Sequence, residues 1–390
     1  MLSFFRYDEH IQYSVFSSGN GNDEYFITAG SGNKSSFEVE LSHLYQSLIS
    51  LFINTGLNPN NLIFLRFYIK DINSHKSILQ NSSFNSLFAE CVVSVIQQPP
   101  LFNGEINLFA YCIKNNNLHK IKQTCSNSFY NSISAKGNNY NLLFTANLYD
   151  VTKKTVYHQT LEIFQNYIQI LSGNKFTLLD NTIRTWIYVD DIDNNYSAMT
   201  EARKKIFSEQ GLTPETRYIA STGINGKAVE KKSFVMMDAL SISGLAKEQI
   251  ISMEASGYLC PAINYGITFE RGTRVCYGDR SHLFISGTAS IDNKGNTIHI
   301  GNTEKQTLQT LENIGALLRR QGADFNNVAY FIAYLRNSAD KNIVKQILSG
   351  LTENEVPTIF VEGAVCRPDW LVEIECIAST EDKNGFPEFF

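Results

Sequence analysis

Two glutamates near the carboxyl end of the chain stand in an otherwise apolar stretch. Residues 371–378 read LVEIECIA, and strand alternation places Glu373 and Glu375 on the same face. Apolar surroundings penalise the charged form of a carboxyl group, so a buried glutamate stays protonated to a higher pH and can deliver a proton. The alternative is an exposed face on which both carboxylates contact water.

Three segments of the chain share one order of predicted helix and strand, and these helices and strands must surround the strand that carries the two glutamates. Each has a helical pattern, a short connection and a strand of aromatic and β-branched residues that ends in a charged turn. The segments are residues 43–71, 158–191 and 305–340. A later apolar strand follows each one, within residues 106–113, 231–243 and 370–379. The implied unit is an antiparallel sheet with two helices on one face, an α+β sandwich.

The third segment shows the helical pattern most clearly. Leu308, Leu311, Ile314 and Leu318 recur at three- and four-residue steps, which predicts one buried helix face. Gly322 follows two arginines, the usual order at a helix end. Three such units in one chain predict an internal pseudo-trimer, with domains at residues 1–120, 121–250 and 251–390.

The late strand of the third unit differs from the other two. The strand at 106–113 carries no acid, and the strand at 231–243 carries only Asp238. Glu373 is therefore the candidate for a buried acid. Glu375 is interpreted as its structural partner, bonded to loop backbone.

Composition narrows the function classes. The chain has 390 residues, 43% hydrophobic and 18% charged, with a net charge of −5, which fits a globular protein without a nucleic-acid partner. No apolar run approaches the ~20 residues of a membrane span. The absence of a secretory signal pattern and seven cysteines without a CxxC motif predict a reducing, cytoplasmic setting. No metal-binding or phosphate-binding motif is present, so no metal and no cofactor are expected.

The third unit resembles the Rid (YjgF) superfamily. The resemblance lies in FISGTASID, QTLQTLENI, YLRNSAD and LVEIECIA. It implies Rid-like (chorismate-mutase-like) sandwich modules with ligand sites between neighbouring modules. The best known members hydrolyse enamines and imines with an arginine in a segment like PARSC. In the matching segment PTIFVEG, Ile359 stands at the arginine position and Val361 at the cysteine position, which argues against that deaminase chemistry.

Roughly residues 140–380 resemble the chorismatase family, whose members carry Rid-type modules in one polypeptide and cleave chorismate. The matching segments are RTWIY (184–188), STGI (221–224), YGITFER (265–271), SGTASI (286–291) and CRPDWLVEIE (366–375). One turn departs from the family pattern: in HIGN, residues 299–302, Ile300 and Asn302 replace proline and aspartate.

This resemblance implies two residues close to the reacting bonds. The first glutamate of VEIE is the catalytic acid of the family, which assigns that role to Glu373. The position of Cys366 separates family branches, and cysteine there resembles the branch that releases 3-hydroxybenzoate. Cys366 is therefore implied to contact the ring and steer the product. The residues alone suggest a small core side chain.

The resemblance also implies substrate-binding side chains, each with a plainer alternative. It implies arginines that bind the substrate carboxylates, at Arg203, Arg271 and Arg184. It also implies tyrosines that place hydroxyls over the substrate ring, at Tyr188, Tyr196 and Tyr265. Arg203 has two lysines after it and fits a solvated helix face. Arg271 fits an ion pair with Glu270 or Asp279. The tyrosines fit a hydrophobic core.

Three functions follow from these patterns. The first is a chorismatase-like enzyme that cleaves the enolpyruvyl ether of chorismate, with its site between the second and third units. The second is a Rid-type hydrolase or deaminase that acts on another small enamine or carbonyl compound. The third is a ligand-binding protein without catalysis. All three take a small carboxylate as partner, without nucleic acid or membrane, in a monomer or a homo-oligomer of pseudo-trimers.

Overall fold

The fold repeats one sheet three times. The computed structural model describes residues 1–30, 32, 35–102, 104–115, 118–123, 132–260 and 268–390. Within them lie three six-stranded sheets, each with the strand order first, second, third, sixth, fourth, fifth. All neighbouring strands are antiparallel except the fourth and fifth, which are parallel. The predicted α+β class with three modules in one chain is confirmed.

The first module spans residues 2–114. Its strands are β1 Leu2–Arg6, β2 Ile11–Phe16, β3 Asp23–Gly30, β4 Leu62–Ile69, β5 Val92–Gln97 and β6 Ile106–Lys114. Its helices are α1 Phe37–Thr55, α2 Ile72–Gln80 and the short α3 Asn85–Phe88. Gly56 ends α1 with φ of 68°, a left-handed conformation that glycine adopts without strain.

The second module spans residues 119–243. Its strands are β7 His119–Gln123, β8 Ser132–Lys136, β9 Asn141–Tyr149, β10 Thr182–Val189, β11 Ala220–Asn225 and β12 Val235–Ser243. Its helices are α4 Val156–Gly173, the short α5 Leu178–Asn181 and α6 Ile192–Glu209. The Thr155 hydroxyl caps α4 by accepting the N–H of His158, which fixes where this helix begins.

The third module spans residues 250–381. Its strands are β13 Ile250–Ser252, β14 Gly272–Cys276, β15 Arg280–Ala289, β16 Val328–Leu335, β17 Thr358–Glu362 and β18 Val372–Glu381. Its helices are α7 Thr303–Arg320 and α8 Lys341–Ser349. The expected boundaries at residues 120 and 250 each fall inside a strand, β7 and β13, so we propose boundaries just before these strands.

Helix α7 corrects one detail of the sequence interpretation. Leu311, Ile314 and Leu318 are buried against the sheet, but Leu308 is 51% exposed. Thr307 is buried instead. Thr307 lies four residues before Leu311 and Leu308 lies three before it, and on an α-helix the four-residue step comes closer to the buried face. Asn302 of the HIGN turn caps α7 by accepting the N–H of Lys305. Asparagine caps a helix as well as aspartate does, so this departure leaves the helix start intact.

The inner faces of the three sheets meet in one shared core. The fifth strand of each module lies beside the third strand of the next, which brings together β5 with β9, β11 with β15, and β17 with β3. Among the described residues, each interface holds a buried arginine–carboxylate pair, namely Arg66–Asp238, Arg184–Glu375 and Arg280–Glu24. No helix among the described residues combines the length and hydrophobicity needed to cross a bilayer.

Candidate active site

A cavity of about 240 Å³ lies between the second and third modules. Helix α6 and strand β11 form the wall from the second module. Strands β15 and β18 form the opposite wall, and the segments before β14 and β18 close the sides. The lining residues that carry chemistry are Tyr196, Arg203, Ser221, Arg271, Cys366, Arg367, Trp370 and Glu373.

Glu373 lies at the base of this cavity with 4% of its surface exposed. It faces Ala289 of β15 and Tyr334 of β16 across the sheet. Its carboxyl group makes no hydrogen bond to any described residue. Burial raises the pKa of Glu373 to about 8, the nearby Glu375 carboxylate adds to the rise, and Arg184 and Arg271 oppose it. At neutral pH this geometry gives a protonated acid that faces the cavity.

Gly287 makes room for that carboxyl group. The register of β15 against β18 shifts between Ile285 and Thr288, which brings residue 287 next to Glu373. A Cβ atom at this position would overlap Oε1 of Glu373 and crowd the methyl group of Thr222. The bulge is held from the other module, since the Gly287 N–H donates to Thr222 Oγ1 at 2.9 Å.

Glu375 has a different environment two residues along the same face. Its carboxylate accepts hydrogen bonds from Arg184 Nη2 and Trp186 Nε1, both at 2.8 Å, and from the Thr222 hydroxyl. All three donors belong to the second module. Glu375 is therefore a structural ion-pair partner, held by side chains rather than by loop backbone.

Two of the predicted arginines lie at the cavity without a carboxylate partner among the described residues. Arg203 is only 2% exposed, and its Nε donates to Thr268 Oγ1 at 3.0 Å. The following lysines are exposed, so the solvated-face alternative for Arg203 is wrong. Arg271 contacts the carbonyl and sulfur of Cys260 instead of pairing with Glu270 or Asp279. Both cations are available to a bound anion.

Tyr196 and Cys366 meet beside Arg203. Tyr196 is half-buried on α6, and its burial and its contact with Cys366 raise its pKa. Burial raises the pKa of the Cys366 thiol to about 12, and the Glu373 carboxyl adds to this. A thiol of that kind stays protonated at neutral pH, so Cys366 is suited to contact a ligand rather than to attack one.

Two predicted binders do not line the cavity, and one lies outside the described residues. Arg184 is engaged by Glu375 and Thr222, so its guanidinium is occupied within the protein. Tyr188 is fully buried in the shared core, facing Arg66 of the first module. Both expectations need correction, because strand alternation on β10 turns these side chains towards the interior. Tyr265 falls within residues 261–267, which the structure leaves out.

The cavity also contains residues that the sequence interpretation missed. Arg367 is half-buried, and its guanidinium lies 4.6 Å from the ring centroid of Trp370 and donates to the carbonyl of Gly295. It has no carboxylate partner among the described residues, which makes it a third cation at the cavity. Both residues belong to the segment CRPDW with Cys366, so their closeness in sequence to a predicted site residue is the feature that points to them. Among the described residues, no cluster of His, Cys, Asp and Glu could hold a metal ion.

Some known proteins resemble about a quarter of this chain, and another resembles most of it. A family model described as Endoribonuclease L-PSP matches residues 274–380. The 3-aminoacrylate deaminase RutC of Acinetobacter baylyi is 28% identical over 97 residues, 25% of this chain and 77% of RutC. A RutC family protein of Pyrococcus horikoshii is 35% identical over 100 residues, 25% of this chain and 79% of that protein.

The larger similarity is to a crystal structure of chorismatase. It covers 82% of this chain and 93% of that chain, with a TM-score of 0.62 and 18% identity. At this identity the similarity shows the fold. Through its third module the chain belongs to the RutC family, as the 35% identity to the Pyrococcus horikoshii protein shows, and its three modules together have the fold of the chorismatase structure.

Proposed function

We propose that this protein is a chorismatase-like enzyme that cleaves the enolpyruvyl ether of chorismate. The observation that carries the proposal is the pairing of one buried acid with three arginines that have no carboxylate partner among the described residues. Glu373 has a pKa of about 8, and Arg203, Arg271 and Arg367 line the same cavity. Chorismate offers two carboxylates and an ether that an acid can activate.

The reaction begins with proton transfer from Glu373 to the methylene carbon of the enolpyruvyl group. This step leaves a carboxylate at Glu373 and an oxocarbenium ion on the substrate. Water then adds to the cation, the proton returns to Glu373, and the hemiketal collapses to pyruvate and a dihydroxy-cyclohexadiene acid. Release of a hydroxybenzoate instead differs by the loss of one water from the ring. Carbon protonation is slow, so an acid held neutral near pH 7 is what this chemistry needs.

The arginines have a separate role in the proposal. A guanidinium presents two parallel N–H groups, so it fixes both the position and the orientation of a carboxylate. Arg203 and Arg271 flank Phe269 at one side of the cavity, whereas Arg367 stacks on Trp370 at another. This spread suits a substrate with two carboxylates. Cys366 and Tyr196 line the same cavity, with Cys366 close to Tyr196 and Glu373, where they can contact the ring.

Pyruvate release from chorismate tests the proposal. Lactate dehydrogenase and NADH report pyruvate as it forms, and chromatography separates the ring products. The wild-type protein should release pyruvate well above the uncatalysed rate, and Glu373→Gln should lose roughly a hundredfold or more, since general acid catalysis contributes about that much. Glu362→Gln, at an exposed position on β17, is the matched control. Pyruvate at the background rate from folded wild-type protein would exclude this function.

A Rid-type hydrolase is the second candidate, favoured by membership of the RutC family. One structural fact weighs against imine substrates of the familiar kind. Strand register places Ser94 and Thr222 at the positions in modules one and two that match Ile359 in module three. None of the three modules therefore carries the carboxylate-holding arginine there. An imine generated in the assay by an amino-acid oxidase tests this candidate, which fails if the protein does not accelerate imine hydrolysis.

A further inference from the structure

The shared core contains one tyrosine from each module at the same place in the fold. Tyr68, Tyr188 and Tyr334 are each the seventh residue of the eight-residue strands β4, β10 and β16. All three are fully buried. The equivalence of their positions places them around the pseudo-threefold axis that relates the modules. None of their hydroxyls has a hydrogen-bond partner of good geometry among the described residues.

Arg66 brings a fourth unpaired group to the same region. Its Nε and Nη2 donate to Asp238 Oδ2 at 3.2 and 2.9 Å, but Nη1 is buried, lies near the Tyr68 hydroxyl and has no hydrogen-bond partner of good geometry among the described residues. The guanidinium lies 5.8 Å from the ring centroid of Tyr188 and 4.5 Å from that of Trp186. Because Asp238 offsets its charge, Arg66 presents N–H groups here rather than a free positive charge.

The four groups are close enough to affect one another. Burial is the main cause of the raised pKa of Tyr334, and Glu375, Tyr68 and Tyr188 raise it further, while Arg66 lowers it. The pKa of Tyr188 responds to Arg66 and Tyr68 in the same way. Tyr68 lies two residues after Arg66 on the same face of β4.

Leaving these groups unsatisfied would be costly. A buried donor or acceptor without a partner costs about 1–3 kcal/mol, and here four lie together at the centre of the molecule. A buried water molecule needs two to four polar partners, which this cluster supplies. All four groups can donate a hydrogen and one of them belongs to a guanidinium, so the cluster favours a ligand that accepts hydrogen bonds.

We propose that Tyr68, Tyr188, Tyr334 and Arg66 Nη1 form a buried site on the pseudo-threefold axis for one small hydrogen-bond acceptor, a water molecule or a halide ion. The site belongs to all three modules and is separate from the cavity at Glu373. It joins the modules through a shared ligand, in addition to their ion pairs.

Tyrosine-to-phenylalanine variants test the site in solution. If the hydroxyls bind a ligand, Tyr68→Phe, Tyr188→Phe and Tyr334→Phe should each lower the Tm by about 1–3 °C, because each removes one hydrogen bond. Tyr167→Phe provides the scale, since that hydroxyl bonds Ser241 at 2.7 Å. A higher Tm in the three variants would overturn the proposal, because deleting an unsatisfied buried hydroxyl stabilises a protein.

Diffraction from crystals grown in sodium bromide tests the same site without any substitution and identifies the ligand. An anomalous peak between the three hydroxyls indicates a halide, and a density peak without anomalous signal indicates water. Either result supports the site, and no density there overturns it. Replacement of chloride by gluconate separates the two ligands in solution. If the site binds a halide, the Tm of the wild type should fall without chloride, whereas the Tm of the triple phenylalanine variant should not change. If the site binds water, neither Tm should depend on chloride.

Discussion

Glu373 links the proposed chemistry to the stability of the folded chain. Its pKa rises from the ordinary 4.5 to about 8, so the folded protein binds this proton more tightly than the unfolded chain does. The stability contributed by that proton is fully present below pH 4.5 and is lost as the pH rises through 8. The acid that the reaction needs is therefore a destabilising residue at alkaline pH.

This linkage predicts a pH-dependent effect of Glu373→Gln on unfolding. The amide cannot ionise, so the variant should gain stability relative to the wild type as the pH rises from 5 to 8, by about 3–4 kcal/mol. Urea unfolding at several pH values measures the difference. Glu362→Gln should show little change over the same range. A constant difference between Glu373→Gln and wild type would mean that Glu373 is not a high-pKa acid.

Single residues also show which expectations rest on local sequence and which depend on contacts with distant segments. Glu373 was identified from its place in an apolar strand and from the contrast with the other late strands, both of which are local features. The resemblance implies Arg184 as a substrate binder, and its actual partner, Glu375, lies 191 positions away in another module, where no local pattern points to it. Arg367 was passed over because nothing in its immediate sequence shows that it stacks on Trp370 inside the cavity. Contacts between segments that are distant in sequence decide which arginine lacks a carboxylate partner within the described residues and can bind a ligand.

At the scale of elements, the β15 bulge is what lets β18 present its acid to the cavity. Gly287 stands at this bulge, and any side chain there would meet the carboxyl group of Glu373. Helix and strand patterns predicted the elements themselves well, because burial periodicity is a local property of the sequence. The bulge was not predicted, since a register shift depends on the partner strand.

Gly287→Ala should therefore damage activity more than stability. The added methyl group would displace the Glu373 carboxyl group, and a misplacement of this kind can cost about a hundredfold in rate. Gly385→Ala is the control, because a Cβ there meets nothing within 4 Å. The measurements are kcat for pyruvate release and the Tm of each variant. Full activity in Gly287→Ala would show that the position of the acid tolerates movement.

At the scale of the whole molecule, a buried arginine–carboxylate pair joins the described residues at each of the three module interfaces. Arg66 and Asp238 are completely buried at the interface of modules one and two, 2.9 Å apart. Removing one partner leaves the other charged and buried, which costs about 3–5 kcal/mol, whereas an exposed pair contributes at most about 1 kcal/mol.

Arg66→Met should accordingly destabilise the fold by about 3–5 kcal/mol in urea unfolding. Lys205→Met, which breaks the exposed pair with Glu209 on α6, should cost less than about 1 kcal/mol. The double variant Arg66→Met with Asp238→Asn should recover much of the loss, because no unpaired charge remains and the amide oxygen can still accept from the Asn147 N–H. An equal loss in the single and double variants would show that packing, rather than charge, dominates this interface.

The presence of all three modules in one chain has a consequence for how the clefts can differ. In a trimer of identical subunits, every substitution appears at all three interfaces at once. Here strand register aligns Glu373 with Asn107 in the first module and with Met236 in the second. One chain can thus keep an acid at one interface and place an amide and a thioether at the two equivalent positions, which a trimer of identical subunits cannot do.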